Sequence, residues 1–396
     1  MHYYYDLPLF VLVAVVQPIL AFPRLGNNPL GLGTSLAHLW PRRFEQNHDL
    51  QRRATNPNGS TFLWLPQDEY SGKTFFDGFS FYTDSDLTHY VNSTYAFQNR
   101  LAYVNDDGTV VMKGDNTTWL PEGKNRTSVR ISSNAQYNTG LFILDLNRAP
   151  WGCGVWPAFC NSLFGGGAWP YTGEIDIIEG VHDNEHNQVT WHTGPGCTLA
   201  IESNYTGTVV QSNGFPNTDC DGNANGNAGC GITEWSRASY GPFFEAQGGG
   251  VFAMKWDETG IAVYSFYRSA IPQDITSGSP NPANWGTPVA ALAPAACDPL
   301  TFFVNHSIIF DITFCGDWAG SSYATSGCPG SCSTRLMDPS NFVNASWSIN
   351  SLKVYRKQTL NGRVSSGIPL RVPLGSVYLI IILGLFGLVA IHLAVY

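Results

Sequence analysis

Grouped basic residues are missing from the central part of this chain of 396 residues, in which 21 Lys and Arg face 30 Asp and Glu for a formal net charge of -9. That absence excludes a nucleic-acid partner, which has to be met by clustered cations that displace counterions. Charge of either sign is scarce at 13%, Met occurs four times, and neither a long amphipathic helical period nor an internal repeat is found. A helical bundle and a solenoid are thereby set aside. Present instead are 41 Gly, 24 Pro and 13% aromatic residues, the composition of many turns between strands rich in Trp, Tyr and Phe.

Short β-prone runs recur between turn signals from Ser60 onward. They cover 75–81, 108–113, 128–132, 140–146, 173–180 and 188–192, then resume after a Gly- and Asn-rich loop (211–231) at 250–256, 261–267, 307–314 and 347–355. This spacing predicts one all-β domain over residues 60–357, built as an antiparallel β-sandwich and expected to act as a monomer.

The two ends speak to location. Residues 1–21 hold an apolar stretch, Leu7 to Ala21, of signal-peptide length. Residues 22–59 read as a lead-in or pro-segment, in which Arg42-Arg43 and Arg52-Arg53 are either dibasic processing sites or incidental pairs in an exposed linker. Residues 358–376 read as a stalk. The apolar run 377–396 ends the chain and is long enough to span a bilayer, either as a removed GPI signal or as a transmembrane helix. Seven Asn-x-Ser/Thr sequons, at Asn58, Asn92, Asn116, Asn125, Asn204, Asn305 and Asn344, agree with a secretory route to the cell surface or wall. Nine cysteines fit an oxidising compartment and several disulfides, with the odd count leaving at least one unpaired within the chain. Cys328 and Cys332 have the spacing of half a zinc site, but no His or second close Cys pair accompanies them, so disulfide bonding is expected there.

The chemistry concentrates in Glu174-Ile175-Asp176-Ile177-Ile178-Glu179, bounded by Gly173 and Gly180. In a strand, Glu174 and Asp176 share one face and Ile175 and Ile177 the other. Strict alternation would send Glu179 into the core, where an unpaired carboxylate is costly. One extra residue at Ile177-Ile178, a β-bulge, returns Glu179 to the acidic face. Three carboxylates then line one surface, and because they cannot all ionise cheaply at least one is expected to hold a proton at neutral pH. Such a set suits glycosidic bond cleavage, which needs an acid and a nucleophile or base. A calcium site or a solvent-facing acidic strand is the plainer alternative; calcium, however, usually draws ligands from a turning loop. Trp151, Trp156, Trp169, Tyr171 and Trp191 lie close by in sequence, as sugar-stacking platforms or as ordinary core residues.

The acidic strand resembles the signature of glycoside hydrolase family 16, in the bulged form of its laminarinase-like branch. Gly140-Leu-Phe-Ile143, Gly152-Cys-Gly-Val-Trp-Pro-Ala-Phe159, Thr190-Trp-His-Thr-Gly-Pro-Gly-Cys197, Asn284-Trp-Gly-Thr-Pro288 and Thr313-Phe-Cys-Gly-Asp-Trp-Ala-Gly320 are similar to fungal endo-1,3(4)-β-glucanases, a likeness running from about Ser60 to Arg356. The resemblance implies a jelly-roll sandwich of the concanavalin A-like type with a concave substrate cleft. It also implies a retaining endo-β-glucanase on 1,3- or mixed 1,3/1,4-linked glucans, needing no cofactor. A structural calcium ion is compatible but not indicated. It makes Glu174 the nucleophile, Glu179 the acid/base and Asp176 the residue that orients the nucleophile. Trp156 and Trp169 would line the subsites beside the cleaved bond, and His192 would stand close to the carboxylates. Two departures stand out: the stretch between Trp156 and Trp169 is longer and Gly-rich (Gly165 to Gly167), and Cys160 replaces a usual aromatic, which makes it the candidate for the unpaired thiol. Transglycosylation by the same site, or a non-catalytic glucan lectin on the same fold, are the competing readings.

Overall fold

The computed structural model describes residues 54–55, 61–84, 88–162, 169–201 and 204–360, all within the unit Gln51–Tyr396. The expected signal peptide, nearly all of the lead-in, the apolar C-terminal run and the Gly165–Gly167 stretch lie outside the described residues. No helix among the described residues is long and apolar enough to cross a membrane.

Two antiparallel sheets form the sandwich. The first runs in the order Thr208–Val209, Cys230–Thr233, Gln188–His192, Glu174–Glu179, Val155–Ser162, His306–Phe314, Arg130–Tyr137, Phe79–Phe81. The second runs Ala54–Thr55, Thr61–Ser71, Ser346–Thr359, Gly140–Arg148, Gly250–Asp257, Gly260–Tyr267, Ala290–Leu292, with Val110–Lys113 also pairing to Ser346–Thr359. Alternation decides which residues meet between the sheets. Ile175, Trp191, Ile308, Phe310 and Phe314 of the first sheet pack with Phe142, Leu144, Phe252, Met254, Trp256 and Val354 of the second in one buried cluster.

The second sheet is apolar on its outer face as well. Leu141, Ile143, Val251, Ala253 and Tyr264 form a separate buried cluster there with Trp285. Asp274, just inside the helix Gln273–Thr276, accepts the Trp285 indole N–H at 3.0 Å and so ties this cover down.

Most expected strands are found, with shifted ends. The run 75–81 is the exception, because Gly72–Gly78 is a 3-10 helix and only Phe79–Phe81 is a strand. Phe75, fully buried and stacked on Phe79, supplied the apolar signal that periodicity alone cannot assign to strand or helix. Thr61–Ser71 was hidden by Pro66, where the pairing with Ser346–Thr359 shifts register. The loop 211–231 carries a small hairpin, Gln211–Ser212 with Phe215–Pro216, and begins the strand Cys230–Thr233.

Disulfides join Cys153–Cys328, Cys197–Cys297, Cys220–Cys230 and Cys315–Cys332, and the free thiol is the buried Cys160. Cys328 and Cys332 thus serve separate bridges and form no metal pair.

Glu234 is buried beyond the strand Cys230–Thr233, where Ser265 donates to one carboxyl oxygen and the other has no hydrogen-bond partner. Burial raises its pKa to about 7 from the ordinary 4.5, against the lowering effect of Ser265. Its proton is therefore held more tightly folded than unfolded. The stabilisation is complete below about pH 4.5 and fades as pH rises through about 7. Replacing Glu234 by Gln is expected to remove a pH-dependent contribution of about 3 kcal/mol, read as a flatter profile of unfolding free energy between those limits.

Candidate active site

The acidic strand occupies Glu174–Glu179 and is bulged where the alternation demanded it. Against Val155–Ser162, Ile178 faces Phe159 and Asp176 faces Cys160, so Ile177 has no opposite residue. Against Gln188–His192, Asp176 faces Thr190 and Glu179 faces Gln188, leaving Val189 alone opposite two isoleucines. Ile175, Ile177 and Ile178 are all fully buried, and the three carboxylates emerge together on the opposite face.

A bulge leaves backbone groups without ladder partners. Asn187, itself fully buried, repairs this one: its Oδ1 accepts the Glu179 N–H at 3.0 Å and its Nδ2 donates to the Ile177 carbonyl at 2.9 Å. Asn187 is held in turn by a bond from its own N–H to Ser239 Oγ at 2.9 Å.

The carboxylates line a cavity of about 640 Å³ shared with Trp156, His192, Arg130, Asp311 and Trp318. Each glutamate has its own indole: Trp156 Nε1 donates to Glu179 Oε1 and Trp169 Nε1 to Glu174 Oε2, both at 2.8 Å. Trp169 stands at the rim, 40% exposed, with its ring 6.0 Å from that of His192. His192 Nε2 lies 3.4 Å from Asp176 Oδ2, and burial lowers the histidine pKa despite the Glu174 charge, so the ring is neutral at neutral pH. All six residues singled out from the sequence therefore converge.

Their environments differ. Burial, then the charges of Glu174 and Glu179, drive the Asp176 carboxyl well above the usual range. Burial pushes Glu179 up to about 8, opposed by the Trp156 hydrogen bond. Glu174 is the most open of the three.

Of the five nearby aromatics only Trp156 and Trp169 touch the carboxylates, and the exposed Tyr171 is not part of the cavity lining. Trp191 is fully buried on the core face, and Trp151 donates to Glu245 Oε2 at 2.7 Å, away from the cavity lining. Sequence reasoning also missed contributors from distant strands. Asp311, cross-strand from Ala158, pairs with Arg130 at 3.1 Å, and burial raises its pKa to about 6 against that cation. Its signal was there, since Asp311 and Thr313 interrupt the apolar run Ile308–Phe314 with period two. Trp318 packs edge-on against Trp156 at 6.0 Å, carried on the turn Gly316–Gly320 that begins beside the Cys315–Cys332 bridge. Asn187 has only its place one residue before a strand to betray it.

The sequence model of the XgeA-like, catalytic GH16 domain matches residues 79–355. The chain belongs to glycoside hydrolase family 16. A probable glycosidase of Schizosaccharomyces pombe is 46% identical over 295 residues, covering 73% of this chain and 68% of that protein. A probable endo-1,3(4)-β-glucanase of Aspergillus niger is 40% identical over 302 residues, which is 72% of this chain but 39% of the longer relative. Among solved structures, the family 16 laminarinase 16A of Phanerochaete chrysosporium, described with β-glucans in both donor and acceptor sites, superposes with a TM-score of 0.69 at 39% identity, covering 74% of this chain and 99% of that one. An elongating family 16 β-1,3-glucosyltransferase superposes with a TM-score of 0.68 at 36% identity, covering 74% of this chain and all of that one.

Replacing Asn187 by Ala strands the Glu179 N–H and the Ile177 carbonyl in the interior. At about 1–3 kcal/mol for each buried orphan, denaturant unfolding is expected to show a loss of about 2–6 kcal/mol.

Proposed function

We propose that the chain is a retaining endo-β-glucanase that hydrolyses 1,3- or mixed 1,3/1,4-linked β-glucans. The observation that carries this reading is the bulged strand, which sets three carboxylates with unlike environments on one cavity wall. Glu179 holds a proton at neutral pH and gives it to the glycosidic oxygen as the bond to the leaving sugar breaks. Glu174, steadied by Trp169, attacks the anomeric carbon and forms a glycosyl-enzyme. Glu179, now a carboxylate, takes a proton from water as that water attacks the anomeric carbon, which releases Glu174 and returns the site to its starting state. Protonated Asp176, beside neutral His192, keeps a second negative charge away from the nucleophile.

The likeness to an elongating glucosyltransferase supports a second reading, in which a sugar hydroxyl replaces water at the glycosyl-enzyme. The apolar segments at 1–21 and 377–396 and the sequons support passage through the secretory pathway to a membrane-tethered position at the cell surface.

Glu174→Gln and Glu179→Gln are each expected to lower laminarin hydrolysis by at least about a hundredfold without unfolding the chain, and proton NMR of fresh product is expected to show the β-anomer first. Undiminished activity in either variant would remove the assignment.

Because Glu179 must be protonated to act, activity is expected below about pH 8 and lost above it. Trp156→Phe deletes the hydrogen bond that lowers this pKa, so the alkaline limb of a kcat/KM profile should move upward.

A further inference from the structure

On the outer face of the second sheet, away from the catalytic cavity, the apolar cover around Trp285 gives way to a polar hollow of about 440 Å³. Strand alternation builds its floor. Val110, Met112, Trp347 and Ile349 point into the core, so Val111, Lys113, Ser346 and Ser348 point out. Register aligns Tyr103 with Val111, Val111 with Ser348, and Ser348 with Arg148. The polar groups are fixed before anything binds: Arg148 donates to Ser346 Oγ at 2.9 Å and pairs with Glu245, while Asn147 Nδ2 donates to Asn350 Oδ1 at 2.9 Å.

Two of the sequons meet this hollow. Asn116, of Asn116-Thr117-Thr118, is part of its lining, and Val343 and Ser346, which flank Asn344 and close the sequon Asn344-Ala345-Ser346, line it too. Asn116 is held in a fixed pose. Asp115 Oδ1 accepts from the N–H and hydroxyl of Thr117 and from the Thr118 N–H, and Lys113 Nζ donates to Asn116 Oδ1 at 2.9 Å. The Nδ2 atom, which would carry a sugar, makes no hydrogen bond to the described residues.

We propose that this hollow seats the first N-acetylglucosamine units of a glycan linked to Asn116. Its volume lies within the usual span of ligand pockets, about 300–1,000 Å³. Its chemistry is that of an N-acetylated sugar: fixed donors and acceptors for the hydroxyls and amide, and the Tyr103 ring, Val111 and the 56% exposed Val343 for the ring face and acetyl methyl. Attachment joins the Asn116 Nδ2 to the anomeric carbon of a sugar delivered as its lipid diphosphate, which departs with the proton lost from nitrogen. The link pre-pays the association entropy, so modest contacts hold the sugar in place. The inference rests on the secretory reading above.

The test uses the full chain secreted from a yeast host. Glycopeptide mass mapping is expected to find Asn116 occupied. An endoglycosidase that leaves one N-acetylglucosamine should leave Tm unchanged, whereas complete removal under native conditions, or Asn116→Gln, should lower it by roughly 2–4 °C. Tyr103→Ala should lower Tm more in the glycosylated than in the stripped chain, and laminarin hydrolysis should not respond to Asn116→Gln. If every sequon is bare, the secretory reading falls and takes the proposal with it. If other sequons are occupied but Asn116 is bare, or if stripping leaves Tm unchanged, or if Tyr103→Ala costs the same in both forms, the glycan seat alone is overturned.

Discussion

One unopposed residue, Ile177, governs the site. Without the bulge that Ile177 makes, Glu179 would share the face of Ile175, and the sandwich would have to bury a carboxylate in its core. With it, three isoleucines stay in the core and three carboxylates stay in the cavity. The distortion is tolerable because Asn187 answers the two backbone groups it strands. The placing of the three carboxylates is thus secured by a buried core amide that is not part of the cavity lining.

The same arrangement separates the roles of like groups. Glu179 and Asp176 are enclosed, so burial drives both towards their neutral forms, while Glu174 keeps more contact with solvent. Indole N–H donors refine this without adding charge, since Trp156 serves Glu179 and Trp169 serves Glu174. Arg130 adds the nearby cation, and it is engaged by Asp311. Neighbouring carboxyls thus sit in unlike surroundings, the condition that lets like groups take different roles.

The two sheets divide the labour. The first presents chemistry on one face and core on the other, so its strands alternate strictly wherever they are regular. The second is apolar within the sandwich and over the part of its outer face that Trp285 covers, and turns polar beside Tyr103 and Ser348. Bridges such as Cys197–Cys297 and Cys153–Cys328 join segments 100 and 175 residues apart, holding together loops that the sheets alone do not pair.

Much of this was written in local pattern. Alternation marked most strands, the misfit of Glu179 called for the bulge, the odd cysteine count required one free thiol, and the motifs around Trp156, Glu174 and His192 identified the family. Those signals are legible because each depends on residues within a few positions of one another. Other features were not. Phe75 belongs to a 3-10 turn that buries it in a stack on Phe79 and in a tilted contact with Phe310, and Trp191 is core because of the sheet packed against it. Asp311, Arg130 and Trp318 reach the cavity from strands and turns far away in the chain, and Asn187 acquires its role only where the bulge leaves two groups bare. The sequence by itself determined the strand periodicity and the chemistry of the carboxylates. Only the tertiary structure decided their partners and protonation, because burial and hydrogen bonding are properties of neighbours that the chain brings together by folding.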